Sequence, residues 1–83
     1  MNKVLVNVYV PILNKSYDMF IPLQSQIFEI IELINKAVWE LSEGEFMSSN
    51  DTVLAYRATG EILNINSTVF ELAIGNGTKL ILI

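Results

Sequence analysis

From Lys3 to Val10, side chains alternate in kind. Val4, Val6, Val8 and Val10 share one face, and Leu5, Asn7 and Tyr9 share the other. A β-branched run of period two predicts a strand with its valines turned inward. Pro11 to Lys15 reads as a turn, with Pro11 ending the ladder and Asn14 suited to a bend. Alternation resumes over 16–22, where Tyr17, Met19 and Ile21 oppose Asp18 and Phe20. Two alternating runs joined by a short polar turn predict an antiparallel hairpin.

After Pro22 the period changes. Ile27, Ile30, Ile31, Ile34, Val38 and Leu41 follow i, i+3, i+4, i+7 spacing over Gln26–Leu41. This is the stripe of a helix buried on one side, with Ser25 as its N-cap. Glu29, Glu32, Lys36 and Glu40 take the far side, and Gly44 marks the end. Residues 42–52 are polar and predict a long, mobile loop. Val53–Arg57 predicts a third strand, and Thr59-Gly60 turns into a short fourth, Glu61–Leu63. Val69–Ile74 has the length of a helical turn. Gly75-Asn76-Gly77 predicts a tight turn before a last strand, Thr78–Ile83.

One helix with one apolar stripe must bury it on one sheet. The apolar last strand is expected at the centre, parallel to the first, because a hairpin and a helix intervene. The expected fold class is α+β: a β-grasp, with a mixed sheet of four to five strands crossed by one helix, and residues 1–83 forming one domain.

The bulk numbers narrow the chemistry. Of 83 residues, 52% are apolar and 17% charged, which suits a dense core and excludes a disordered tail. With no Cys and no His, there are no disulfides, thiolate metal sites or Ser–His and Cys–His nucleophile systems. Net charge is −4, and Lys3, Lys15, Lys36, Arg57 and Lys79 are scattered along the chain. Nucleic-acid binding wants a clustered basic face, so it is not expected. The apolar run after Lys3 is broken by Asn7, ended by Pro11, and followed by no small-residue cleavage site, so it is not read as a leader. No apolar run reaches the roughly 20 residues of a membrane helix. A cytoplasmic protein is expected. The triplets starting at Asn14, Asn50, Asn66 and Asn76 are then not glycosylated, since that modification needs a secreted chain.

The last third carries a family resemblance. Tyr56-Arg57-Ala58-Thr59-Gly60-Glu61-Ile62-Leu63 and Thr68 to Ile83 resemble, without a gap, the matching segments of ubiquitin. The helix stripe Ile27, Ile30, Ile34 has the same spacing. Within that superfamily, the chain looks most like the YukD/EsaB group of bacterial type VII (WXG100) secretion systems. The residues that carry this are Lys3-Val4-Leu5-Val6, Tyr9-Val10-Pro11, Lys15-Ser16-Tyr17-Asp18, Ile21-Pro22 and Asn76-Gly77-Thr78. The resemblance implies a cytoplasmic, non-catalytic accessory or regulator of an export machine.

Two departures from conjugating ubiquitins stand out. The sequence ends at Ile83, without a flexible tail and its two terminal glycines, which conjugation and sulfur transfer both require. Where ubiquitin's docking patch centres on an outward Ile of strand three, Arg57 stands here. The expectation is a chain that is not conjugated to targets.

No cofactor or metal site is expected. Gly75-x-Gly77 precedes a strand, whereas a phosphate loop leads into a helix. Glu40, Glu43, Glu45 and Asp51 lack an EF-hand's ligand spacing. Two sets of residues are candidates for contact with a protein partner or a second copy in a homodimer. Leu5, Tyr9 and Phe20 fall on the strand face opposite the valines, which a single helix leaves open, and exposed apolar patches mark contacts. Phe28 and Trp39 fall on one helix flank, where they either anchor a partner or fold over the sheet edge. The alternatives to an export accessory are an adaptor with unrelated partners, and a protein modifier or sulfur carrier.

Overall fold

The computed structural model describes residues 2–47, 49 and 51–83. Two sequence expectations fall partly outside these: the triplet beginning at Asn50, and the part of the 42–52 loop around Ser48 and Asn50.

Strand β1 (Lys3–Val10) buries Val4, Val6, Val8 and Val10, as its alternation requires. Pro11–Leu13 forms one 3-10 turn, and Asn14 closes it at φ 52°, a left-handed conformation that Asn tolerates better than most residues. Strand β2 (Lys15–Pro22) returns antiparallel, with Leu5 opposite Phe20, Asn7 opposite Asp18 and Tyr9 opposite Ser16. Buried Ile21 and half-buried Tyr17 and Met19 share the inner side with the valines. This alternation holds the register, because a slip of one residue would turn every valine outward.

Helix α1 (Ile27–Leu41) buries Ile27, Ile30, Ile34 and Val38. Its N-cap is Gln26, not Ser25. Glu29 Oε1 accepts the Gln26 backbone N–H at 3.0 Å, completing a capping box. The shift has a tertiary cause. The Ser25 carbonyl accepts the Val69 N–H at 3.1 Å, while the Ile27 and Phe28 N–H groups donate to Ser67 and Ile65 carbonyls. The stripe also ends early: Val38 is buried, whereas Leu41, the last residue of the helix, is 58% exposed.

Strand β3 (Leu54–Tyr56) is shorter than the expected 53–57, and β4 (Lys79–Leu82) shorter than 78–83. Among the described residues the sheet has four strands in the order β2-β1-β4-β3. β4 lies at the centre, parallel to β1 and antiparallel to β3. The expected strand 61–63 is reduced to an isolated bridge between Ala55 and Ile62. Residues 69–73 form turns, in keeping with the length of a helical turn, with the Leu72 N–H donating to the Thr68 carbonyl at 3.2 Å, and Ala73 sits at φ 56°. Of the two glycines in 75–77, Gly77 uses positive φ, at 87°.

One cluster of buried residues joins sheet and helix and takes in Phe46, Leu63, Val69 and Ile74 from the connections. Each fully buried Val, Leu or Ile contributes roughly 1.5–3 kcal/mol of hydrophobic stabilisation before entropy is counted. This is the expected β-grasp layout: a mixed sheet with a helix across one face. No described helix lies on the opposite face.

Candidate functional site

Because β1 and β4 bury alternate residues, their other side chains project from the outer sheet face. Register arranges these in three rows. The first holds Phe20 beside Leu5, next to the Asn76-Gly77 turn. Asn76 Oδ1 accepts the Leu5 N–H, and Gly77 N–H donates to the Leu5 carbonyl, both at 2.8 Å. The second row runs Asp18, Asn7, Lys79, Arg57. The third runs Ser16, Tyr9, Ile81, Ala55, with Ile62 bridged to its end.

The middle row is a hydrogen-bonded belt. Asn7 Nδ2 donates to Asp18 Oδ1 at 2.8 Å, and Arg57 Nη2 donates to Asn7 Oδ1. Arg57 Nη2 also reaches the Leu80 carbonyl at 3.2 Å, and its guanidinium lies 5.4 Å from the centroid of the Tyr9 ring. A cation over an aromatic face is held by the ring quadrupole. These partners of Arg57 are an amide oxygen, a carbonyl oxygen and a ring. All are neutral, so its charge stays on this face.

The structure therefore places Leu5, Tyr9 and Phe20 on one face, but in different settings. Leu5 is 37% exposed and Phe20 is 58% exposed, and they sit directly opposite each other. Tyr9 is half-buried under Arg57, and its hydroxyl donates to Asn14 Oδ1 at 2.8 Å. The polar belt separates it from the other two. Periodicity found the face but not the belt, because Asn7 and Arg57 are 50 residues apart in the chain.

Phe28 and Trp39 lie on the other side of the domain, 43% and 53% exposed. Neither is folded away into the core. Phe28 borders a groove with Ile31, Asn35, Val53 and Ile65. Trp39 sits against Gly44 at the helix end, where its indole would lie 3.8 Å from an added Cβ. A third feature has no counterpart in the sequence reading. An apolar cavity of about 480 Å³ opens at the end of the sheet, between Ile12, Phe46, Met47, Leu82 and Ile83. Its walls come from three separated segments, so no local pattern signals it.

Among the described residues, no group of three or more acidic side chains converges as a metal site. No described helix is long and apolar enough to cross a membrane.

This geometry is that of a ubiquitin-like fold, and solved structures place it there. The chain matches the ubiquitin-like domain of the type VII secretion protein ECCD1 of Mycobacterium tuberculosis. The TM-score is 0.79 and the identity 15%, over 100% of this chain and 99% of that one. It also matches a chain of the MycP5-free ESX-5 inner membrane complex, at TM-score 0.72 and 15% identity. There it covers all of this chain but spans only 21% of the matched one. A ubiquitin-like domain of an Arabidopsis thaliana protein matches at TM-score 0.74 and 15% identity, over 100% of this chain and 78% of that one. No protein-family model and no curated protein sequence matches.

Proposed function

We propose that this chain is one ubiquitin-like domain that works by docking to proteins and not by catalysis, as a cytoplasmic accessory or regulator of a type VII-like export machine. The observation that carries the docking reading is the Leu5–Phe20 pair. Two large apolar side chains face each other on a sheet side that no described helix covers. Burial of such a pair against a partner is the kind of contact that dominates interface energies. The non-catalytic part rests on composition, since the chain has neither His nor Cys. The export part is supported by the YukD/EsaB resemblance and by the likeness to ubiquitin-like domains of type VII secretion proteins.

The test is capture of partners from native cytoplasm and membrane extracts with the wild-type chain and with a Leu5→Ser/Phe20→Ser variant. The wild type should retain a component of an export complex, and the variant should lose it with melting nearly unchanged. Equal capture by both would make the sheet face inert and move attention to Phe28 and Trp39. A second reading, an adaptor with unrelated partners, is favoured by the comparable match to the plant ubiquitin-like domain. Capture of proteins outside any export machine would select it.

A further inference from the structure

The charges, scattered in sequence, are sorted in space. Residues 26–52 hold six of the nine acids and one of the five cations, a net of −5. The remaining residues net +1, which makes up the −4 of the chain. Helix α1 turns Glu29, Glu32, Lys36 and Glu40 away from the core, and Glu43 and Glu45 follow at its end, all exposed. On the outer sheet face, Lys3, Lys79 and Arg57 outnumber Asp18.

The apolar groups on the two faces have similar spacing. Phe28 and Trp39 are eleven residues apart on one side of the helix, about 16 Å at 1.5 Å per residue. Glu32 and Lys36 lie between them. On the sheet, the Leu5–Phe20 row and the row of half-buried Tyr9 and Ile81, which ends at exposed Ile62, are four strand residues apart, about 13 Å. Between them runs the row with Asp18, Lys79 and Arg57. Both faces carry charge between their apolar groups: Glu32 suits Lys79 and Arg57, while Lys36 suits Asp18. The faces as wholes are opposite in sign, since Glu29, Glu32, Glu40, Glu43 and Glu45 outnumber Lys36 on the helix side, whereas Lys3, Arg57 and Lys79 outnumber Asp18 on the sheet.

We propose that the outer sheet face of one copy receives the acidic helix face of a second copy, so that the chain self-associates head to tail. This rests on reading the outer sheet face as a docking surface and names its occupant. A helix laid across that face would repeat on the outside the packing that α1 makes on the inside. Symmetric pairing is disfavoured by net charge, because sheet on sheet or helix on helix would set two faces of the same net sign together, even though a two-fold through the helices pairs Glu32 with Lys36. A head-to-tail contact that does not close into a ring grows as an open chain.

The test is sedimentation equilibrium of the 83-residue chain over a range of concentrations, at low and high salt. The wild type should grow beyond a dimer with concentration at low salt, and growth should weaken as salt screens the contact. Lys79→Glu and Glu32→Lys, both at exposed positions, should each raise the dissociation constant about tenfold or more. An equimolar mixture of the two should recover association, because each supplies the face the other lacks. A wild type that stays monomeric at high concentration overturns the proposal. So does a dimer insensitive to Glu32→Lys, or a mixture no better than its parts. None of those results touches the docking of a different protein, which the Leu5→Ser/Phe20→Ser capture experiment reads separately.

Discussion

The Arg57 guanidinium lies 5.4 Å from the centroid of the Tyr9 ring and is tied through Asn7 to Asp18. That relationship splits the outer sheet face in two and makes Tyr9 part of the scaffold, leaving Leu5 and Phe20 as the freely exposed pair.

The roles of Tyr9 and Phe20 should separate cleanly in stability. Phe20→Ser removes an exposed ring and should change unfolding free energy by less than about 1 kcal/mol. Tyr9→Ser removes both the ring under Arg57 and the hydroxyl on Asn14, and should cost about 2 kcal/mol. Urea titration of the two variants checks this; equal losses would mean that both rings are structural.

Arg57→Lys is expected to be far from conservative. Both hydrogen bonds come from one guanidinium nitrogen, Nη2, and an ammonium has no planar group to keep that nitrogen on Asn7 and the Leu80 carbonyl while lying over the Tyr9 ring. A loss of about 1–2 kcal/mol in urea unfolding is expected, from weakened charge-assisted hydrogen bonds. An unchanged midpoint would show that the belt contributes nothing.

Ile30 and Ile34 should behave as core. Each is almost wholly buried against the sheet, and substitution by Ala should cost about 2–5 kcal/mol through lost transfer energy and the cavity left behind. Leu41→Ala, at an exposed position, should cost well under the same amount. Denaturant midpoints at constant slope distinguish the three.

Backbone strain offers an opposed pair. Ala73 holds φ 56° and Gly77 holds φ 87°. Gly77→Ala should lose about 1 kcal/mol, whereas Ala73→Gly should gain about 0.5 kcal/mol once the extra chain entropy of Gly is subtracted. Calorimetric melting of both variants would show shifts of opposite sign.

Elements whose pattern is local were legible along the chain. The valine alternation of β1, the return over 16–22 and the Ile27–Val38 stripe each repeat within one strand or helix, so burial on one side is written into neighbouring residues. The fold class followed, because one striped helix and several alternating strands have few ways to cover each other. What tertiary structure decided lies where distant segments meet. Gln26 displaced Ser25 as the cap because residues 65–69 occupy the backbone groups around it. Leu41 fell outside the core, where Val38 one turn earlier is buried, and 61–63 dropped to a single bridge. The belt from Asp18 to Arg57, and the sorting of acids to the helix and cations to the sheet, join residues tens of positions apart. Those pairings depend on strand order and register, and no periodicity along the chain encodes them.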